Sequence, residues 1–152
     1  MIGIKTKLNP AQLAAIKAKL TKLRGVLERA SQVDEKIEQG IKEEINAIFD
    51  TEGSAGGSSW PRLAPMTIRL RTSRGTWPGK ILQEFGELRG GIHVKSDGAK
   101  VKIEVDAPYA SIHHEGTRKV PQRRFLPRDE RLLALTKGPV QEFIRAVIND
   151  LR

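Results

Sequence analysis

The chain contains no cysteine. Disulfides, thiolate metal sites and cysteine nucleophiles are therefore excluded. Histidine is scarce, with three in 152 residues, so any metal site would rest on these and on carboxylates. No apolar run approaches the roughly 18 residues of a membrane span. Met1 to Lys5 shows no basic segment leading into an apolar one, so no signal peptide is expected, and synthesis in a cytoplasm is. Neither a Gly-x-Ser-x-Gly elbow nor a phosphate-binding Gly-x-x-x-x-Gly-Lys-Ser/Thr loop occurs. Gly86, Gly90 and Gly91 have the wrong spacing for a dinucleotide fingerprint and lead into a strand instead of a helix.

Positive charge is plentiful. Lys and Arg number 27 against 18 Asp and Glu, a net charge of +9. Such a surplus favours polyanionic partners such as nucleic acid, an acidic membrane or an acidic protein face. Hydrophobic residues at 38% suit one core in a chain of this length.

Periodicity divides the chain. Ile2, Ile4, Thr6 and Leu8 alternate with Gly3, Lys5 and Lys7, which predicts a strand. Asn9-Pro10 is a helix start, Asn as cap and Pro at the first position. A first helix is predicted from Pro10 to about Arg24, with Leu13, Ile16, Leu20, Leu23 and Leu27 on one seam and Lys17, Lys19, Lys22 and Arg24 outside it. Gly25 is expected to weaken or bend it. A second helix spans about Gln32 to Asp50, with Val33, Ile37, Ile41, Ile45, Ile48 and Phe49 inward.

Between Thr51 and Lys80 the period stops, except for one possible helical turn at Thr67 to Leu70. This stretch holds both tryptophans, Trp60 and Trp77, beside Arg62, Arg69, Arg71 and Arg74. Basic residues interleaved with aromatics suit single-strand binding by stacking. Alternatively, each Trp pins a loop end to the core. Ile81 to Leu88 is expected to be a helical turn leading into a strand. Ile92 and Val94, then Val101, Ile103 and Val105, alternate with polar residues around Asp97-Gly98, which predicts a β-hairpin. Tyr109 to Gly116 follows, then a basic run, Thr117 to Arg131, with Arg118, Lys119, Arg123 and Arg124 around Phe125. Gly138-Pro139 punctuates the chain before a last amphipathic helix from Val140 to Leu151.

The expected class is α+β, a small, mostly antiparallel sheet packed against two or three helices, with long basic loops. Residues 1–30 form an N-terminal strand and basic helix, residues 31–152 an α+β domain, and the two together one domain. His113-His114-Glu115 is the only cluster that suggests a metal. Adjacent histidines diverge in a strand or a helix, so neither a metal nor a catalytic site is expected, and no cofactor.

Several segments resemble the virion-morphogenesis and tail-completion proteins of tailed phages. Trp60-Pro61-Arg62-Leu63 followed by Pro65-Met66-Thr67 is similar to that family's W-x-x-L…T loop. Ile81-Leu82 with Phe85-Gly86-Glu87-Leu88-Arg89 is similar to its iL-x-x-tG-x-L-R segment. Pro108-Tyr109-Ala110 with His113 to Thr117 resembles its pYA-x-x-h-x-x-Gt signature. Arg124-Phe125-Leu126 resembles its R-P-F-L box with the Pro missing. The resemblance covers about Asp34 to Arg131.

It implies a non-enzymatic virion protein of the head–tail junction (tail completion, tail terminator or neck), assembling as a homo-oligomeric ring, six-fold, around the DNA path. The implied partners are connector or tail-tube proteins, with non-specific contact to genomic DNA and no membrane. The implied localisation is the virion, and the host cytoplasm during assembly. Trp60, Trp77, Tyr109, His113, Glu115, Arg124 and Phe125 are then candidates for a subunit or partner interface. Arg62, Arg69, Arg71, Arg74, Arg118, Lys119 and Arg123 are candidates for the DNA path or a partner. The competing hypotheses are a stand-alone, non-specific nucleic-acid-binding protein and, third, a metal hydrolase built on His113 and His114.

Overall fold

The computed structural model describes residues 10–98 and 100–150; the strand expected at Ile2 to Leu8 lies outside them. The fold is α+β, five helices around one two-stranded antiparallel sheet. Helix α1 (Pro10–Asp50) is the spine. After it come α2 (Pro65–Ser73), a one-turn α3 (Glu87–Gly90), β1 (Ile92–Ser96), β2 (Val101–Val105), α4 (Ala110–Glu115) and α5 (Asp129–Asp150), of which β1 and α5 pack directly on α1.

The two helices expected before Thr51 are one. Gly25 in a helix interior costs about 1 kcal/mol relative to alanine, too little to break a helix with good formers on both sides. Two local bonds bridge the weak point: Arg24 Nε meets Glu28 Oε1 at 3.0 Å, and Arg29 Nε donates to the Gly25 carbonyl at 3.2 Å.

A second correction falls at Gly138-Pro139, which lies inside α5 instead of before it. Proline removes one backbone donor and crowds the preceding turn. The helix continues because apolar residues on both sides of the break keep it amphipathic, with Leu132 and Leu135 before it packed against the core. Leu135 approaches α1 at Gly40, where an added Cβ would lie 3.8 Å from it. Arg131 pairs with Glu44 at 2.8 Å near one end of α5 and Arg29 with Asp150 at the other, so α5 runs antiparallel to α1 and reaches back only to Arg29.

The hairpin has the register its alternation predicts, with Ile92 opposite Val105, Val94 opposite Ile103 and Ser96 opposite Val101. Its apolar face lies on α1, where Ile37, Ile41, Ile45, Ile48 and Phe49 are buried. Asp34 and Glu38 fasten the hairpin tip to α1. Glu38 accepts from Ser96 N at 2.9 Å, and Asp34 accepts from Ser96 Oγ and, at 2.8 Å, from Gly98 N.

The segment 51–80 is more ordered than its composition suggests. It contains a 3₁₀ turn at Ser54–Gly56, and α2 extends beyond the single turn expected at Thr67 to Leu70. Pro65 stands in the first turn of α2, where its missing N–H has no intrahelical partner to lose.

Candidate functional site

The segments singled out by the sequence converge on one end of α1. Trp60 is 6% exposed, and its ring meets Phe49 edge-on at 5.4 Å. Its Nε1 donates to the Arg124 carbonyl at 2.8 Å, tying the first long loop to the second. Phe125, 1% exposed, stacks obliquely on Phe49 at 5.9 Å and takes the His114 ring edge-on at 5.0 Å. Phe49, Trp60, His114 and Phe125 thus form one aromatic cluster, in which burial of large rings and edge-to-face geometry reinforce each other.

Two of the arginines that the sequence offered for the DNA path or a partner lie inside the subunit, each 5% exposed. Arg123 donates from Nε to the Pro61 carbonyl at 3.0 Å and from a terminal nitrogen to the Arg62 carbonyl at 3.1 Å. Arg71 donates to the Lys80 carbonyl at 2.9 Å, and its Nε faces Glu84 Oε2 at 3.3 Å without a well-directed hydrogen bond. Both side chains bind loop carbonyls that have no ladder partner, so they brace the loops and cannot contact DNA from these positions. Glu84 organises the far end of the first loop, accepting from Thr76 Oγ1 at 2.8 Å and pairing with Arg74 at 3.5 Å. Sequence inspection missed Glu84; nothing in its immediate surroundings marks it as the partner of a buried cation thirteen positions earlier.

A cleft of about 550 Å³ opens beside this framework, between α2, α3, α4 and the 119–123 strand of chain. It brings together Arg62, Arg71, Tyr109, His113, Lys119 and Arg123 from the candidate set, and adds Glu84, Phe85 and Glu87. Tyr109 donates to Glu87 at 3.4 Å, and burial, followed by the Glu87 charge, raises its pKa above the usual phenol range. Phe85, 66% exposed, stands at the rim. The structure does not bring Trp77, Arg69, Arg74, Arg118 or Glu115 into this cleft. Glu115 lines a shallow depression with Phe125 and His114, and Trp60 and Arg124 line another with Arg128. Arg62, Arg69, Arg118 and Lys119 are exposed and have no ion pair among the described residues.

His113 and His114 face different neighbours, the first edge-on to Tyr109 at 5.9 Å and the second to Phe125. Among the described residues no three His, Asp or Glu side chains are grouped to hold a metal ion. Gly116 ends α4 with φ +77°, and a Cβ there would lie 2.9 Å from the Gln122 amide nitrogen, so the chain can cross back over α4 only with glycine here.

Burial depresses the pKa of both histidines; the charge of Arg123 adds to this for His113 and that of Arg124 for His114. A folded-state pKa below the unfolded one means that stability is complete above the unfolded value and falls as pH drops through it. Three carboxylates behave in the same sense at lower pH. Glu38 is held down by the Ser96 amide, Asp50 by Arg89 and Glu84 by Thr76. Acid unfolding should therefore begin below about pH 6.5, the reference value for imidazole, and steepen below about pH 4.5. Melting temperature followed from pH 8 to pH 4 tests this. A variant with His113→Gln and His114→Gln should lose the upper limb and keep the lower; an unchanged upper limb would rule out the histidines as its source.

Over residues 11–143 the sequence matches the phage virion morphogenesis family. The chain belongs to that family. Membership makes it a phage virion morphogenesis protein, with a structural part in the virion. No curated protein and no solved structure matches the chain. In this family member the Trp60 loop, the Leu88-Arg89 turn, the Tyr109 helix and the Phe125 box are assembled as one framework. Arg89 joins it by clamping Asp50 at 2.7 and 3.3 Å and Asn46 at 2.9 Å. No described helix is long and apolar enough to cross a membrane.

Proposed function

We propose that this virion protein is a non-catalytic subunit of the head–tail junction (a tail completion, tail terminator or neck protein) that assembles as a homo-oligomeric ring, six-fold, around the DNA path. The observation that carries this reading is the division of labour within the subunit. The family's characteristic residues are committed to holding two long loops against α1. Trp60 and Phe125 are buried there, and the neighbouring Arg123 and His114 add their contacts. The outer surface is left with free cations and exposed apolar side chains, which suits contact with neighbours. A ring needs two different surfaces that meet and close by rotation. Its partners on either side are connector or tail-tube proteins, and its place is the virion, reached from the host cytoplasm during assembly.

Deleting the gene from its phage tests the reading. Filled heads and finished tails that fail to join are expected by electron microscopy, with joining restored when the protein is supplied. Joined, infectious particles without the protein would overturn it.

The exposed cations favour a second reading, a stand-alone protein that binds nucleic acid without sequence preference. Four of them, Arg62, Arg69, Arg118 and Lys119, are free to meet phosphates. In the ring, DNA binding should be weak, indifferent to sequence and steeply salt-dependent, since phosphate contacts displace counterions. Replacing all four by Ala should lower the salt slope of log K by about 4 if each neutralises one phosphate. Filter binding at several salt concentrations, run beside particle assembly, separates the two readings. Tight binding to one sequence at high salt would reject both.

A further inference from the structure

We infer that the cleft between α2, α3, α4 and residues 119–123 is a docking site for an acidic peptide segment of a partner protein. One carboxylate side chain enters the cleft, and an apolar neighbour covers Phe85. The site stands on the geometry of the cleft; its assignment to a connector or tail-tube partner rests on the junction reading above.

The cleft holds more positive charge than the subunit compensates. Arg62, Arg71, Lys119 and Arg123 line it against Glu84 and Glu87, four cations to two carboxylates. Internal pairs account for only part of this charge. Glu84 is engaged by Arg71 at 3.3 Å and by Arg74, outside the cleft, at 3.5 Å, and Glu87 accepts from Tyr109. Arg123 has no carboxylate partner among the described residues. It is 5% exposed, and its bonds go to two neutral carbonyls, Pro61 at 3.0 Å and Arg62 at 3.1 Å. Its Nη1 makes no hydrogen bond among the described residues, and the side chain lines the cleft. Carbonyls satisfy donors but carry no net charge, and a buried cation without a counter-charge is costly. Burial and the charge of Arg71 lower the Arg123 pKa, and no carboxylate acts the other way. Arg62 and Lys119, exposed and without an ion pair, add two free cations to the same cleft.

The lining selects a peptide over a polyanion. About 550 Å³ is the size of a small-ligand pocket, a mostly apolar cavity with a few polar groups that fix orientation. Leu63, Leu82 and Val120 supply apolar wall, and Phe85, 66% exposed, an apolar rim. A nucleic-acid strand carries a charge at every residue and would set some of them against Glu84 and Glu87. A peptide can place one carboxylate among the cations and apolar side chains elsewhere. The net charge of +9 draws an acidic partner and opposes a second copy at this cationic cleft.

The probe is the blocked tripeptide acetyl-Leu-Glu-Leu-amide, titrated into the full isotope-labelled chain and followed by backbone and arginine side-chain NMR signals. Saturable shifts are expected at Phe85, Val120 and Arg123, with a dissociation constant on the order of 1 mM. Acetyl-Leu-Gln-Leu-amide, which differs only in the charged group, should bind the parent chain about tenfold or more weakly. Arg62→Glu with Lys119→Glu, at exposed positions, should leave the urea midpoint in place and abolish the shifts.

The site is refuted if the shifts do not approach saturation by about 10 mM, if the glutamine peptide binds as well, or if the charge-reversed chain binds like the parent. Oligothymidylate or inorganic phosphate that binds these residues more tightly than the peptide refutes it too, in favour of nucleic acid or a free anion. Charge-dependent peptide binding, with particle joining untouched by the charge-reversed variant, would keep the cleft site and remove its junction partner. Joining lost in that variant without peptide binding to the parent would remove the site and keep the junction reading.

Discussion

Replacing Trp60 by alanine should cost about 3–5 kcal/mol, the range for removing a buried tryptophan from a packed core. Trp60 is 6% exposed, and three things leave with its indole. The edge-on contact to Phe49 is lost, a cavity opens beside Phe49, and the Arg124 carbonyl loses its donor at 2.8 Å. Trp60→Phe separates these contributions. It keeps an aromatic ring but removes the donor and part of the indole, so its cost should be smaller, about 1–3 kcal/mol, much of it the penalty of a buried acceptor left unpaired. Trp77 serves as the contrast. It is 37% exposed, and Trp77→Ala should cost less than about 1 kcal/mol. Urea unfolding of the three variants measures the order. Equal losses at the two tryptophans would mean that the first loop is not pinned through Trp60.

That contrast marks where the sequence was informative. Two tryptophans in one glycine-rich segment offered two roles, stacking on nucleic acid or anchoring a loop, and composition does not choose between them. The choice is made by Phe49 and the Arg124 carbonyl, which are 11 positions before Trp60 and 64 after it in the chain. Short-range patterns were legible throughout. The alternation of Ile92, Val94, Val101, Ile103 and Val105 around Asp97-Gly98 specified the hairpin and its register. The isoleucine stripe of α1 specified which face the hairpin covers.

Boundaries were harder to see, because a breaker acts against its surroundings. Gly25 is bridged by the bonds of Arg24 and Arg29, and Pro139 is held within α5 by the packing of Leu132 and Leu135 before it and the Arg29–Asp150 pair beyond it. The seam from Leu13 to Leu27 was visible as a pattern but not as an exposed one. Periodicity identifies an apolar face and is silent on whether the same chain covers it. Charged residues were the least legible. Arg69 and Arg71 are two positions apart in one helix, yet one faces water and the other is 5% exposed against Glu84 and the Lys80 carbonyl.

Arg123 carries this lesson furthest, and Arg123→Ala is the second large effect expected. Its guanidinium bonds two successive carbonyls, Pro61 and Arg62, while its own amide donates to the His113 carbonyl at 2.7 Å. One residue therefore joins the first loop, the second loop and α4. Burial, with the nearby charge of Arg71, lowers its pKa, yet the guanidinium remains charged because arginine starts so high. Truncation leaves two carbonyls without a donor and a void where the stem lay. Hydrogen bonds from a charged donor are worth about 1.5–3 kcal/mol, so a total loss of about 2–4 kcal/mol is expected.

Arg123→Lys keeps the charge and most of the stem but replaces a rigid fork with a single ammonium that cannot span both carbonyls in the same geometry. It should recover less than half of the loss. If the protein has the proposed joining role, particle joining should fall with stability in both variants, because the freed carbonyls belong to the segment that presents Arg62. Urea midpoints read beside a complementation assay test the whole chain of cause. A lysine variant as stable as the parent would show that charge alone holds the loops. An alanine variant within about 0.5 kcal/mol of the parent, the usual range for a surface substitution, would show that the fork holds nothing.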